Sequence, residues 1–545
     1  MYNFDSIRGD TLVSGHEYFE YENFFLISPS IKIFKQNNPC FFNYLFSKDI
    51  SDKKFDPKEL FGQFLIIEIL NSENKESLTI KIISDCFASI PCYFNKKGRI
   101  SLFAFSEDRV LDNVSIIDYL LTRRISAGYS FYKNIFRIES SQIIFIAKGK
   151  IDKKKYFVLE MDEQLSSKGD FEIGSLISKY LSENIFRLKS KEICSYFSGG
   201  LDSRFILASG LENISKLFTV GFSKNSREID SAIEISDLIR KSHTIDLSSI
   251  NDLEKIHKLA LFDSKHGVQT NSLFRIFDPP KNYNYICGIG LDYLFQGMYT
   301  NFGLKSFLRS DELKISFFKD FLQKTTCKNR GFSKSSLNDD FKSDYENIFL
   351  EISKRRVKSV MESFRGSLSK AKVYDLFLFS TPSAHYTFSD YLGMMSKATT
   401  FIPLCDQRFL TLFTSIPDKS RNNRIAMRCF LKSNYPELYK IPDANIGGGF
   451  QRGLIDRLKA SIRSKVFQNS YEDHELRTFP LSSYQIIRGP CRNLYRDLIH
   501  QGNYDSLGLS KKFVINQLSF LNNNPKFEDI ADNIHTIYTL LALVN

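Results

Sequence analysis

Several features that identify common protein classes are missing from this chain of 545 residues. Its nine cysteines include no C-x-x-C pair, which excludes the usual zinc ribbons, and their odd number favours reduced thiols over a disulfide framework. No apolar run reaches the roughly 18 residues of a membrane span, and Asp and Arg occupy the amino terminus where a signal peptide needs apolar residues. We therefore expect a cytoplasmic protein without a membrane partner.

A concentrated basic surface is also missing from the sequence. The 74 Lys and Arg residues exceed the 62 Asp and Glu residues, which gives a formal net charge of +12. Such an excess attracts nucleic acid or anionic membranes when it is clustered, but here the lysines are scattered and no basic run is interleaved with aromatic residues. We expect no nucleic-acid partner, and the sequence leaves a homodimer open.

The apolar content is high enough for two hydrophobic cores, and the chain is too long for one. The first 160 residues contain short apolar runs between polar turns, and this pattern predicts strands at Phe24–Ile27, Phe64–Leu70, Leu78–Ile83 and Ile143–Ile146. A polar stretch at Ser166–Asp170 precedes an amphipathic helix pattern over Ile173–Phe186. The predicted domains are therefore residues 1–168 and 169–545.

The second predicted domain begins with alternating strand and helix patterns. We predict strands at Ile193–Phe197 and Leu217–Gly221, with helices near Arg204–Ala208 and over Asp230–Arg240. This alternation is typical of a parallel sheet in an α/β fold. After about residue 300 the pattern is mostly helical, with a polar loop predicted at Lys324–Lys342.

The segment Ser198-Gly199-Gly200-Leu201-Asp202-Ser203 lies between the first strand and the first helix of this pattern. Adjacent glycines permit positive φ and close approach to a ligand, while a helix amino terminus offers unpaired N–H groups and a positive dipole end. The two serine hydroxyls can bind phosphate oxygens, and Asp202 can position a water or a magnesium ion. The alternative is an ordinary turn, but the strand-to-helix context favours an anion-binding loop.

This segment is not a Walker A loop, and it resembles the pyrophosphate-binding loop of the ATP pyrophosphatase superfamily, whose members cleave ATP between the α and β phosphates. Four further segments resemble landmarks of the asparagine synthetases, in the same order along the chain. They are Thr219–Phe222 with Glu228, Asp230 and Ala232; Cys287–Tyr299; Ile402–Asp406; and Gly449-Phe450. The resemblance spans roughly residues 171 to 455.

This resemblance implies ATP and Mg²⁺ as cofactors and assigns roles to individual residues. The residues implied in binding ATP are Ser198, Gly199, Gly200, Leu201, Asp202 and Ser203 at the phosphates, Val220 and Gly221 at the adenine, and Gly288 in the second landmark. Asp202 and Asp292 would hold the metal, and helix capping is the alternative role for Asp292. Asp202, Asp292 and Arg424 are the implied catalytic residues.

The sequence departs from the family pattern at several positions. Ile289 stands where asparagine synthetases have a glutamate that helps to deprotonate the amine, and Tyr293 replaces a second acid, either as a substitute base or as a packing residue. The lysine that neutralises pyrophosphate in the family falls on Asn423 in an ungapped placement, so the neighbouring Arg424, or Arg428, is the candidate cation, and an arginine solvated at the surface is the alternative. Arg204 either reaches a phosphate or simply begins its helix.

The first predicted domain resembles the class II glutamine amidotransferase domain, which has an Ntn-hydrolase-like αββα fold. The resemblance rests on Phe61–Phe64, on Ser84-Asp85 with Pro91–Phe94, and on Phe103–Glu107. Glutamine-hydrolysing relatives use an amino-terminal cysteine, whereas Tyr2 follows Met1 here, so we expect a degenerate domain without glutaminase activity. The second domain is expected to have the PP-loop, or adenine nucleotide alpha hydrolase-like, parallel-sheet fold with a helical carboxyl-terminal part.

Taken with the resemblance, the residues favour an AMP-forming amide ligase that activates a small-molecule or peptide carboxylate for attack by ammonia or an amine. An intramolecular version, similar to lactam synthetases and lasso peptide cyclases, is the first alternative. A non-catalytic ATP-binding protein is the second. A tRNA-modifying role is disfavoured because paired catalytic cysteines are missing.

Overall fold

The computed structural model describes the greater part of the chain between residues 7 and 441 and a few residues beyond. The described residues are 7–10, 15–21, 24–39, 55–70, 78–103, 105, 110–122, 124–189, 191–221, 226–248, 273–296, 307–325, 336–379, 387–441, 497, 504, 507–516 and 540. Among the helices in these ranges, none combines the length and the apolar character needed to cross a bilayer.

Sixteen strands in the described ranges form four sheets. They are β1 Glu17–Tyr21, β2 Phe24–Ser28, β3 Leu65–Leu70, β4 Thr79–Ser84, β5 Tyr93–Phe94, β6 Ile100–Ser101, β7 Phe136–Arg137, β8 Gln142–Ala147, β9 Lys150–Lys155, β10 Ile193–Tyr196, β11 Ile214–Gly221, β12 Ser242–Leu247, β13 Asn284–Ile286, β14 Phe307–Arg309, β15 Ser367–Ser369 and β16 Thr400–Phe401.

Fifteen helices accompany these strands in the described ranges. They are α1 Ile31–Asn37, α2 Asn113–Thr122, α3 Glu163–Ser166, α4 Asp170–Phe186, α5 Leu201–Ser209, α6 Arg227–Ile239, α7 Leu291–Phe295, α8 Ile315–Thr325, α9 Asp339–Met361, α10 Lys370–Phe379, α11 Thr387–Met395, α12 Gln407–Ser415, α13 Asp418–Arg421, α14 Ile425–Asn434 and α15 Pro436–Lys440.

The front sheet is antiparallel and has six strands in the order β1-β2-β3-β4-β8-β9. Alternate residues of its strands enter two separate apolar clusters: Phe25 and Ile27 lie in one, and Phe24 and Leu26 lie in the other. Both faces of this sheet are therefore covered, as the nearly continuous apolar runs of its strands require. Its lysine-rich edge strand β9 is exposed to solvent, and such charge discourages pairing with other chains.

The second large sheet is parallel and has five strands in the order β12-β11-β10-β13-β16. The chain runs outward from β10 through β11 to β12, and then returns to place β13 on the other side of β10. This reversal creates a topological switch point between β10 and β13. In open α/β sheets, ligands bind in the crevice outside the carboxyl ends of strands at such a point.

The structure confirms most of the predicted elements and corrects two of them. The four predicted front strands match β2, β3, β4 and β8 to within a residue or two, and the helix predicted over Ile173–Phe186 is α4. Helix α5 begins at Leu201 rather than near Arg204, because Gly200 is in the extended conformation and forms the amino-terminal cap. The loop predicted at Lys324–Lys342 is wrong at both ends, since Lys324 and Thr325 belong to α8 and Asn338 caps helix α9 through its side chain; residues 326–335 lie outside the described part of the chain. The domain division remains a prediction.

Two consecutive arginines of the long helix α9 connect the second half of the chain to the first. Arg356 pairs with Asp118 of α2 at 2.8 Å, and both side chains are almost fully buried. Arg355 pairs with Asp112 at 2.6 Å just before the same helix. Removing one partner of a buried pair leaves an uncompensated charge, which is far more costly than losing a surface pair.

We predict that Arg356→Met destabilises the protein by about 3–5 kcal/mol because it leaves Asp118 buried without its counter-ion. The measurement is the thermal unfolding midpoint together with the rate of limited proteolysis. Arg365→Met is the matched control, since Arg365 pairs with Glu160 at the surface. The double variant Asp118→Leu/Arg356→Met should recover part of the lost stability, and a double variant as unstable as the sum of the singles would contradict a direct coupling.

Candidate functional site

The turn after strand β10 presents the glycine pair at the switch point. Gly199 has φ of +70°, and Gly200 returns to the extended region with φ of −71° and ψ of 170° as the amino-terminal cap of α5. No side chain caps this helix end. The first N–H groups of α5 are therefore directed at the crevice, in the arrangement that binds anions.

A side chain at Gly199 is excluded by its neighbours as well as by its backbone conformation. A Cβ atom there would lie 2.9 Å from Ser231 Cβ and 3.1 Å from the backbone nitrogen of Ala232 on helix α6. The glycine thus allows the turn to pack against α6 without losing its positive φ. The sequence prediction of a glycine-dependent cradle is consistent with this geometry.

The hydroxyl groups of the turn lie together. Ser198 is exposed, and its Oγ lies 3.3 Å from Ser203 Oγ and 3.4 Å from the Gly200 nitrogen. Leu201, in contrast, directs its side chain into the core. Any contribution of Leu201 to binding is therefore limited to its backbone.

Arg204 does not point toward the crevice, which resolves the alternatives left by the sequence. Its side chain is fully buried, and its Nε donates to the Gly199 carbonyl at 2.6 Å. A second nitrogen of the same guanidinium donates to the carbonyls of Leu438 and Ile441 at 3.1 and 2.6 Å. Arg204 therefore stabilises the turn by linking it to the end of α15. Its guanidinium does not face the crevice in which a phosphate would bind.

The loop after strand β13 brings a carboxylate to the same edge of the sheet. Gly290 has φ of +97°, and Asp292 follows in the first turn of the short helix α7. Burial, together with the negative charge of Asp202, raises the pKa of Asp292 to about 6, while the positive charge of Arg424 opposes this rise. Two carboxylates that converge in this way are typical of a cation site.

Arg424 is the cation in contact with Asp202. Its Nε and one terminal nitrogen each lie 2.8 Å from an oxygen of the Asp202 carboxylate. Gln296 supports this arrangement, because its side-chain oxygen accepts from Arg424 at 3.1 Å and its backbone oxygen accepts from the nitrogen of Asn423 at 3.1 Å. Sequence reasoning missed Gln296, which occupies a variable position of the second landmark and carries no recognisable signal.

The remaining implied nucleotide residues lie on the strands or loops beside this turn. Val220 and Gly221 end β11, which is adjacent to β10 in the sheet, and a Cβ at Gly221 would lie 2.8 Å from Ile229 of α6. Gly288 follows β13, and a Cβ there would lie 3.0 Å from Ile206 of α5. All three occupy the carboxyl-terminal edge of the parallel sheet.

The two substituted positions of the second landmark have different environments. Ile289 is partly buried and packs against the main apolar cluster. Tyr293 contacts Arg124 in the first half of the chain. A guanidinium nitrogen of Arg124 lies 3.5 Å from the Tyr293 hydroxyl, and the Arg124 Cζ lies 5.7 Å from the centre of the Tyr293 ring. No sequence signal pointed to Arg124, which precedes Tyr293 by 169 residues.

The segment Ile402–Asp406 contacts Gln63 and Cys86 from the first part of the chain. The backbone nitrogen of Ile402 donates to Gln63 at 2.7 Å, and Cys405 lies 3.9 Å, sulfur to sulfur, from Cys86. Asp85 also lies close to these thiols. Both Asp85 oxygens already accept hydrogen bonds from Phe64, Phe87 and Ser89, and burial raises the pKa of both thiols. We therefore interpret the cluster as structural rather than as a metal centre.

Several expected residues lie outside the described part of the chain. They are Phe222, Gly297–Tyr299, Gly449-Phe450, and Met1 with Tyr2. Arg428, the alternative cation, is partly exposed on α14, one helical turn beyond Arg424. Among the described residues, the contacts with Asp202 favour Arg424.

The chain was compared with models of known protein families and with curated proteins. Residues 187–434 match the family model described as asparagine synthase. This match is slightly less than half of the chain and contains both glycine loops, both carboxylates and Arg424. No curated protein matches the sequence.

We predict that Gly199→Ala lowers the stability of the protein more than Gly149→Ala does. Both glycines have positive φ, +70° and +72°, but a Cβ at Gly149 meets nothing within 4 Å. Positive φ costs an alanine roughly 1–2 kcal/mol at either site, and the contacts at Gly199 add roughly 1–3 kcal/mol. The thermal unfolding midpoint measures the difference, and equal losses would contradict the close packing on α6.

We predict that Asp292→Asn stabilises the ligand-free protein at pH 7.5 and has little effect near pH 4. The raised pKa of about 6 means that the folded state binds a proton more tightly than the unfolded state, so the aspartate lowers stability as the pH rises from about 4 to 6. The gain should be on the order of 1–2 kcal/mol, because each pKa unit corresponds to about 1.4 kcal/mol and solvent screening reduces the effect.

The unfolding midpoint is measured against pH for the wild type, Asp292→Asn and Glu346→Gln. Glu346 is exposed on α9, so its variant should follow the wild type at every pH. A lower midpoint for Asp292→Asn at pH 7.5 would show that Asp292 stabilises the fold, against this prediction.

Proposed function

We propose that this chain, in which residues 187–434 match the asparagine synthase family model, is an ATP-using amide ligase that activates a carboxylate as an acyl-adenylate and forms an amide with ammonia or an amine. The observation that carries the proposal is the meeting of the Ser198–Ser203 turn, Asp292 and Arg424 at the switch point of the parallel sheet. A glycine turn at the start of a helix, two carboxylates and one cation suit a triphosphate with its metal.

In the proposed reaction, a carboxylate oxygen of the acid attacks the α-phosphorus of ATP, and pyrophosphate leaves. The N–H groups at the start of α5 and the hydroxyls of Ser198 and Ser203 hold phosphate oxygens, while the Arg424 guanidinium takes up charge on the departing group. The amine nitrogen then attacks the acyl carbon, AMP leaves with the C–O bonding electrons, and the nitrogen loses a proton. These groups lower the barrier because their dipoles are already oriented.

The donor set fits Mg²⁺, which prefers carboxylate oxygens. Asp202 and Asp292 would hold the metal; burial first, and then the negative charge of Asp202, raise the pKa of Asp292, and a divalent cation would relieve the repulsion between the two carboxylates. When bound, the metal would supply charge neutralisation at the phosphates. Asp292 must be ionised for this role, so we expect metal affinity to fall as the pH decreases through about 6.

We further propose that the front sheet and its helices supply no ammonia from glutamine. Cys86 and Cys92, the two described cysteines of this part, are fully buried, and burial raises the pKa of both thiols. A nucleophilic cysteine needs the opposite, an accessible thiol with a lowered pKa. The expected αββα glutaminase-like fold would then be a scaffold, and ammonia or a primary amine would come from solution or from the substrate itself.

We predict that pyrophosphate release from ATP depends on an added acid and is lost in Asp202→Ala. The alanine removes one of the two metal-holding carboxylates, and turnover should fall by at least about a hundredfold, the scale associated with losing one electrostatic contact in an active site. The assay uses a panel of amino acids, sugar acids and short peptides, each with ammonia, a primary amine or glutamine as nitrogen source.

The control variant is Asp152→Ala on the edge strand β9, which should keep the wild-type rate. Product analysis distinguishes the outcomes: a cyclised peptide would favour intramolecular ligation, and turnover with glutamine alone would contradict the proposed loss of glutaminase activity. An Asp202→Ala variant that retains its fold and its full rate would overturn the assigned site.

A further inference from the structure

The contact between Arg424 and Asp202 uses the carboxylate that the metal needs. Arg424 approaches both oxygens of Asp202 at 2.8 Å: one terminal nitrogen donates a hydrogen bond to Oδ2, and Nε lies in ion-pair contact with Oδ1 without the alignment of a hydrogen bond. A guanidinium in this position competes directly with a cation for the same oxygens. The contact has to open before Asp202 can hold a metal.

The turn that carries Arg424 is strained. Asn423 has φ of +55° and ψ of 27°, and Arg424 has φ of +58° and ψ of 37°, so two consecutive residues other than glycine adopt the left-handed conformation. Each such residue costs roughly 1–3 kcal/mol, and it persists only where contacts with its surroundings offset that cost. Relaxation of either residue would swing the guanidinium away from Asp202.

Gln296 is the residue that holds this turn in place. Its backbone oxygen accepts from the Asn423 nitrogen and its side chain accepts from Arg424, each at 3.1 Å. Gln296 also ends helix α7, whose first turn contains Asp292. One residue therefore connects the loop of the second carboxylate to the cation that occupies the first.

We propose that Arg424, positioned by Gln296, is the counter-ion of Asp202 until nucleotide binds, so that the protein accepts a divalent metal only together with ATP. The proposal rests on the proposed ATP-dependent function. The triphosphate offers Arg424 a stronger anionic partner, and its transfer from Asp202 to the phosphates frees the carboxylate for the metal. Arg424 thus makes metal binding specific for the nucleotide complex, and Gln296 is a positioning residue that acts through it.

The test is a titration with Mn²⁺, which is paramagnetic and reports binding by electron spin resonance, with and without α,β-methylene-ATP. The wild type should bind free Mn²⁺ weakly and bind one Mn²⁺ much more tightly when the nucleotide is present. Arg424→Met should bind free Mn²⁺ at least about tenfold more tightly than the wild type and bind the nucleotide at least about tenfold more weakly, a coupling of about 1.4 kcal/mol in each case.

Two further variants keep the test decisive if Arg424→Met folds poorly. Gln296→Met should raise the affinity for free Mn²⁺ by about threefold, since it loosens the turn but retains the arginine. Arg424→Lys should restore part of the nucleotide affinity because it keeps the charge. Lys432→Met, which removes one exposed charge from the same helix, is the control and should match the wild type.

The outcomes separate this inference from the proposed function. A wild type that binds free Mn²⁺ as tightly as Arg424→Met overturns the counter-ion role while leaving ATP-dependent ligation intact. A wild type that binds no nucleotide, with or without Mn²⁺, contradicts the proposed function itself. Loss of Mn²⁺ binding in Asp202→Asn with nucleotide present is expected, and an unchanged affinity would place the metal elsewhere.

Discussion

The candidate site depends on one turn, in which the backbone leaves strand β10 at positive φ and enters helix α5 within two residues. Only glycine fits at Gly199, because helix α6 lies against the position that a side chain would fill. Arg204 then fixes the carbonyl of this glycine and ties it to the end of α15. The packing of Gly199 against α6 and the hydrogen bond from the buried Arg204 guanidinium fix the orientation of this turn. The start of helix α5 is therefore directed at the crevice.

Around this turn the protein keeps an arrangement that is unfavourable without ligand. Asp292 is partly buried near a second carboxylate, and Arg424 is held in a strained conformation to compensate for the charge of Asp202. A fold selected only for stability would replace one of these carboxylates with a neutral residue. The proposed metal and triphosphate would relieve both the repulsion and the strain.

Much of this site was accessible to sequence reasoning because its signals are local. The glycine pair, the flanking strand and the carboxylates of Asp202 and Asp292 all lie within short motifs. The residue types in these motifs indicate anion or metal binding. Arg204, Gln296 and Arg124 act on partners that are distant in the sequence or occupy positions with no required residue type. Arg204 is adjacent to the motif, but its role does not follow from the sequence, since only the placement of α15 shows what its side chain binds. The start of α9 has the composition of a loop, because Asn338, Asp339 and Asp340 are all polar and only the side-chain cap of Asn338 shows that a helix begins there.

The contacts across the molecule explain why the front part would be kept without glutaminase chemistry. Arg356 donates to the carbonyl of Arg124 and pairs with Asp118, which fixes the position from which Arg124 reaches Tyr293 beside Asp292. Gln63 binds the backbone at the end of β16 on the same sheet edge. The front part therefore packs against the carboxyl ends of two strands of the parallel sheet, and its loss would expose them to water. Tyr293 contacts the Arg124 guanidinium through both its ring and its hydroxyl, so the front part of the chain reaches the residue that follows Asp292.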